Sequence, residues 1–205
     1  MPIAPAPDLS REIAHGGIVC GIDEAGRGPW AGPVAAGAVI WPAGVRVPPG
    51  ITDSKKLRPA AREKLFEQIL SLAHVGIGEA SVEEIDRLNI LQATLLAMRR
   101  AVEALPLAPA HAIVDGNRKP ALPCTVATLV KGDALSLSIA AASIVAKVHR
   151  DRIMTTADAR FPGYGFARHM GYGTPEHQQA LQRLGPTSFH RTSFSPIKTL
   201  IHKDY

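Results

Sequence analysis

Three apolar runs in this chain break off at carboxylates, and that pattern narrows the possible folds more than any other feature. Residues 18–22 (Ile-Val-Cys-Gly-Ile) stop at Asp23 and Glu24, residues 111–114 stop at Asp115, and residues 125–130 are followed by Lys131, Gly132 and Asp133. Short apolar runs bounded by turn residues read as strands. Helical patterns lie between the first two and follow the third, which points to a mixed α/β layer architecture. In such sheets functional groups collect at the carboxyl ends of strands. One acid there is equally an ordinary turn former, and Asp133 alternatively caps the helix that follows it. Three acidic strand ends in 205 residues carry more weight, because bringing them together costs repulsion unless a cation neutralises it.

The rest of the chain is legible around those strands. Gly26, Gly28, Pro29, Gly32 and Pro33 predict a loop over 25–33, and residues 34–41 a strand returning antiparallel to the first. Leu65, Ile69 and Leu72 stand at helical spacing in 59–73, with Pro59 suited to a first turn. A short strand over 75–80 leads to a helix opened by Ser81 with Glu84 three residues on, the capping-box pattern. A longer helix covers 89–105 and ends before Pro106. The alanine-rich stretch 134–158 predicts the strongest helix, and Thr174 with Pro175 opens a last one over 174–184. The expected organisation is a mobile Pro/Ala-rich tail over 1–15, one α/β domain over 16–158 and a helical C-terminal extension over 159–205.

Carboxylates at converging strand ends suit hard divalent cations. Mg²⁺ takes oxygen ligands and is held by a few carboxylates together with substrate phosphates. Two such ions about 4 Å apart activate a water and stabilise the leaving oxygen of a phosphodiester. Cys20 and Cys124 form no CxxC pair, so a cysteine zinc site is excluded, and Cys20 reads as a small buried hydrophobe. Neither a GxGxxG run nor a Walker lysine is present, which leaves the usual nucleotide sites unsupported. Gly26 and Gly28 allow a substrate close to the backbone. Arg27 between them either reaches phosphate or is a solvated side chain on a structural turn. A net charge of +5 fits a polyanionic partner.

The segment GIDEAGRGPWAGPV at 21–34 resembles the signature of the ribonuclease HII family. Further blocks follow in family order: DSKKL at 53–57, VDG at 114–116, KGD at 131–133, SIAAASIVAKVHRD at 138–151, YGFARHMGYGTPEH at 164–177 and HRTSF at 190–194. The resemblance implies a ribonuclease H-like mixed sheet flanked by helices. It also implies an endonuclease that cuts RNA in RNA–DNA hybrids and on the 5′ side of ribonucleotides embedded in duplex DNA, using two Mg²⁺ or Mn²⁺ ions. The implied catalytic and metal-binding carboxylates are Asp23, Glu24, Asp115 and Asp133. Gly26, Arg27 and Gly28 are implied to contact the ribose 2′-hydroxyl and a neighbouring phosphate, and Tyr172 to stack at the junction between ribo- and deoxyribonucleotide. A 2′-hydroxyl is what distinguishes RNA from DNA at one position. Two departures stand out: Met170 replaces a usual lysine and Gly173 a common proline.

Within that frame Ser54 and Lys55 become phosphate-contact candidates. Ser136, Ser143, Lys147 and Arg150 recur along one face of the 134–158 helix. Ser143 and Lys147 there read as duplex-backbone contacts, and Arg150 as solvent-facing. His169, His177 and His190 are compatible with structural or phosphate-contact roles, and Arg191 with positioning substrate or bracing the site. Trp30 and Trp41 read as core. No stretch approaches 18 apolar residues and residues 1–15 lack a signal-peptide core, so a cytoplasmic chain without a membrane span is expected, a monomer by default. Two other readings remain: a basic duplex-binding module that does not cleave, and a related two-metal nuclease acting on DNA alone.

Overall fold

The structure is a computed structural model and describes residues 6–201. Its elements in chain order are α1 (Ser10–His15), β1 (Val19–Ala25), β2 (Val34–Ile40), α2 (Pro59–Leu72), β3 (His74–Ala80), α3 (Val82–Leu88), α4 (Ile90–Glu103), β4 (His111–Asp115), β5 (Thr125–Leu129), α5 (Leu137–Arg160), α6 (Phe166–His169), α7 (Pro175–Leu184) and α8 (Ile197–Ile201). The strands form one mixed sheet in the order β3-β2-β1-β4-β5. β2 pairs antiparallel with both β1 and β3, whereas β1–β4 and β4–β5 are parallel. The parallel half places the carboxyl ends of β1, β4 and β5 at the same edge.

Side chains alternate across a strand, and the sheet is covered on both faces accordingly. Cys20, Ile22, Ala36 and Ala38 point towards α4, where Ala93, Ala97, Met98 and Ala101 meet them. Val39 points the other way, into a second core built by Leu65, Phe66 and Ile69 of α2 with Ala140, Ala141, Ile144 and Val145 of α5. α5 lies almost on the backbone of the two central strands. A Cβ on Gly21 would stand 2.2 Å from the Ser138 carbonyl carbon, and one on Gly37 2.6 Å from the Ala142 oxygen. Alanines on one side and glycines on the other are therefore what this helix–sheet contact requires. The 24 residues of α5 span about 36 Å. Its far half carries the C-terminal extension, through Met154 and Ala157 against Phe166, Leu181 and Ile197.

Four expectations are corrected. The part of the tail that is described is structured: residues 10–15 are helical, and Glu12 accepts hydrogen bonds from Ser136 Oγ (2.6 Å) and Ser138 N (2.9 Å). Residues 1–5 of that expected tail, and 202–205 of the extension, lie outside the described residues. β1 does not stop at Asp23 but runs to Ala25, because β2 pairs with it there, Asp23 opposite Gly37 and Glu24 opposite Ala36. Asp133 does not cap the long helix. Residues 132–134 make a separate 3₁₀ turn entered through Lys131 at φ 58°, and Ser136 caps α5 by accepting from Ile139 N at 3.2 Å. Arg150 does not face solvent: it is 1% exposed.

Candidate active site

Asp23 sits on the α5 side of the central strand and is 6% exposed. Ile22 pairs with Val114 in the parallel ladder, so Asp23 and Asp115, the next residue on each strand, end up side by side. Gly132 N–H donates to Asp115 Oδ1 at 2.7 Å, which ties the turn carrying Asp133 to the end of β4. Burial pushes the Asp23 carboxyl well above the usual range, and repulsion from Glu24, Asp115 and Asp133 adds to it. Glu24 is also raised by burial, against the pull of Arg27, whose Nη1 donates to Glu24 Oε1 at 3.3 Å. Asp133 is raised by burial and by Asp53 and Asp115, while Lys55 and Lys56 draw it down. The four acids thus share one electrostatic site.

Among the described residues, no group of three His, Cys, Asp or Glu side chains is arranged to hold an ion. The donor chemistry nevertheless fits a hard divalent cation. The donors are all carboxylate oxygens, and Asp23 is buried among three other acids; its one hydrogen bond among the described residues comes from Glu24 N (2.7 Å). A proton or a bound cation relieves that arrangement.

The loop after β1 is held from behind by two buried guanidinium groups. Arg191 is 0% exposed and donates to the carbonyls of Gly26 (2.6 Å), Arg27 (3.0 Å), Pro29 (2.8 Å), Gly32 (2.9 Å) and Pro33 (3.2 Å). Arg150 donates to Ala31 (3.0 Å), Pro33 (2.9 Å) and Met170 (3.0 Å). In a trans peptide the N–H points opposite to the C=O. With the Gly26 and Arg27 carbonyls on Arg191, the N–H groups of Arg27 and Gly28 turn away from it. Gly26 has φ 97°, and a Cβ there would stand 2.0 Å from Arg150 Nε, so glycine is required twice over. Tyr172, 44% exposed, lies against this loop, its Cε1 3.6 Å from where a Gly28 Cβ would be.

The other expected contacts divide. Lys55 is exposed and close enough to lower the Glu24 and Asp133 carboxyls. Ser54 and Ser143 are 3% and 4% exposed and bond to each other, Oγ to Oγ at 2.8 Å, so they tie the loop to α5. Lys147 is partly exposed and its Nζ donates to Asp151 at 2.6 Å, which also accepts from Arg62 at 3.4 Å. Spacing put these residues on one face of α5, but that face is packed against the Ser54 loop and α2.

Residues 20–197 match the family model described as Ribonuclease HII. The chain belongs to the ribonuclease HII family. It is 59% identical to the ribonuclease HII of Paramagnetospirillum magneticum, over 93% of this chain and 96% of that one. The Caulobacter vibrioides ribonuclease HII is 57% identical over 96% of this chain and 94% of its own. The solved ribonuclease H2 of Pyrococcus horikoshii superposes with a TM-score of 0.77 at 26% identity, covering 91% and 98% of the two chains. The fold is therefore ribonuclease H-like. As a ribonuclease HII the chain is a hydrolase, a divalent-metal-dependent nuclease of the ribonuclease H type that acts on RNA–DNA substrates.

Two buried histidines of this ribonuclease HII, His177 and His190, brace the backbone at Tyr172. His177 Nδ1 bonds the Tyr172 carbonyl at 2.9 Å, and its Nε2 meets His190 Nε2 at 3.0 Å. His190 Nδ1 accepts from Thr187 N at 3.0 Å. The partners assign the tautomers: His177 carries its proton on Nδ1 and His190 on Nε2. A second proton on either ring would set two donors face to face. Burial is the first reason that both groups fall below the ordinary histidine value, His190 to about 4. One of the two family departures has a packing reason. The Trp30 ring occupies the space beside residue 173, 2.1 Å from a Cβ there, so only glycine fits. Met170 packs against the cluster of Met154, Phe166 and Leu181 and turns its carbonyl to Arg150.

Proposed function

We propose that this ribonuclease HII cuts the phosphodiester on the 5′ side of a ribonucleotide, in a hybrid or embedded singly in duplex DNA, leaving a 3′-hydroxyl and a 5′-phosphate. The observation that carries this reading is the buried, uncompensated Asp23, set among three acids beside a loop whose amides face outward. Asp23, Glu24, Asp115 and Asp133 would hold two Mg²⁺ or Mn²⁺ ions. Such ions supply water activation and charge neutralisation at the leaving oxygen. The chain's own residues supply the rest. Arg27 and Gly28 N–H groups offer donors to the 2′-hydroxyl and its phosphate. The Arg27 side chain, half exposed, and Lys55 add positive charge for the backbone. Tyr172 offers a ring face to the sugar–base step that follows.

The test uses a DNA duplex with one ribonucleotide, an RNA–DNA hybrid and an all-DNA control, with the product ends mapped. Cleavage 5′ to the ribonucleotide with a metal requirement, absent in Asp23→Asn and Asp115→Asn, is the expected result. Full activity in either variant, or equal cutting of the all-DNA duplex, contradicts it.

A further inference from the structure

We infer that Glu12 is a positioning residue, the anchor of an N-terminal strap that fixes the turn presenting Asp133 from behind. Asp133 lies in the 3₁₀ turn of residues 132–134, which is one rigid piece with the start of α5. Leu135 N and Ser136 N both donate to the Gly132 carbonyl, at 2.9 and 2.8 Å, and Ala134 N to the Lys131 carbonyl at 3.1 Å. From the front, Gly132 N grips Asp115 Oδ1 at 2.7 Å. From behind, the grip comes from residues 8–12.

The first amides of a helix have no partner within it, and at α5 the strap takes two of them. Leu137 N donates to the Asp8 carbonyl at 3.0 Å, and Ser138 N to Glu12 Oε1 at 2.9 Å. Ile139 N goes to Ser136 Oγ at 3.2 Å, and that same hydroxyl donates to Glu12 Oε1 at 2.6 Å. One carboxylate oxygen thus orients the cap and receives a helix amide at once. A negative charge at a helix N-terminus is further favoured by the helix dipole. Residues 8–12 precede the span of residues 20–197 that the family model matches. The anchoring therefore comes from chain outside the matched region, more than 120 residues away from the turn it holds.

The inference rests on Asp133 being one of the ion-holding acids, and the experiment separates the two claims. Glu12→Ala and Glu12→Gln are compared with wild type in two measurements made without substrate. Amide hydrogen exchange of the metal-free protein reports the turn, and calorimetric titration with Mn²⁺ reports the site. Glu12→Ala should speed exchange selectively over residues 131–139 and weaken Mn²⁺ binding, by up to about fivefold when the whole strength of an ordinary helix cap is coupled to the site. Glu12→Gln, which keeps an acceptor at Oε1, should restore most of both. Unchanged Mn²⁺ affinity in Glu12→Ala overturns the inference. So does an exchange increase spread evenly over the chain, which marks a general loss of stability. Failure of wild type to cut any ribonucleotide-containing duplex would refute the functional reading instead, and leaves both of these measurements readable.

Discussion

Arg191→Met tests whether the substrate loop is shaped by a buried cation. Two terms oppose each other at this position. Holding the guanidinium charged inside the protein is costly: burial, then the neighbouring Arg150, bring its pKa from 12.5 down to about 9. That shift corresponds to about 5 kcal/mol, to order of magnitude. Against it stand the hydrogen bonds to five carbonyls of the Gly26–Pro33 loop. Each buried carbonyl left without its partner costs about 1–3 kcal/mol. Only Pro33 keeps a second donor, from Arg150. Methionine removes the charge penalty and orphans the other four, so a net loss of about 3–5 kcal/mol is expected, the usual range for breaking a buried charged network. The Arg27 and Gly28 amides lose their fixed direction at the same time. Denaturant unfolding measures the first effect. Steady-state cleavage of a single-ribonucleotide duplex measures the second, and kcat/KM should fall about a hundredfold, equivalent to about 2.7 kcal/mol of transition-state stabilisation. Arg191→Lys should fall between, since an ammonium has three donors for five acceptors. A methionine variant within 1 kcal/mol of wild type that still discriminates ribose from deoxyribose would show that the loop holds its own shape.

Asp23→Asn should abolish cleavage and yet raise metal-free stability, because it removes a buried acid repelled by three neighbours while keeping Oδ1 for Glu24 N; a thermal scan in chelator showing lower stability would contradict the electrostatic account. Acid should loosen the C-terminal extension through His190. Its folded pKa is depressed to about 4, so its contribution is complete above the unfolded value of 6.5 and is lost as pH falls towards 4. The loss is about 3 kcal/mol, and His190→Asn should flatten that part of the stability–pH curve measured by urea unfolding. Tyr172→Ala should cut cleavage at the ribonucleotide junction at least tenfold while Mn²⁺ affinity and unfolding midpoint stay close to wild type, since the side chain is 44% exposed and the His177 bond is to its backbone carbonyl; an equal loss of Mn²⁺ affinity would place Tyr172 in the metal site instead. Gly21→Ala should destabilise severely, because its Cβ meets the backbone of α5 at 2.2 Å; a soluble variant with wild-type unfolding would disprove that close contact.

Much of the architecture was readable because the rules that govern it act over a few residues. The capping box at Ser81 and Glu84, Thr174 as an N-cap and Pro59 in the first turn of α2 all appear where the local pattern places them. The acids at the strand ends were legible for the same reason. The ends of β1 and α5 were less so. Pairing with β2 extends β1 through Asp23 and Glu24, and a 3₁₀ turn intervenes before Ser136. Both depend on partners that lie far along the chain.

Periodicity tells which way a side chain leaves its helix and nothing about what it meets. α5 is buried on nearly every side between residues 138 and 146, so a polar stripe on it is not a solvent face. Ser143, Lys147 and Arg150 carry the right chemistry for a duplex, and packing assigns them to Ser54, Asp151 and the Gly26–Pro33 loop. The order of residues alone settled which groups this protein owns: four acids, a glycine-flanked arginine and an aromatic ring, in blocks dense enough to mark the family. Tertiary structure decided which of them remain available. A hydrogen-bonding group buried against another is spent, and that follows from which distant segments fold together.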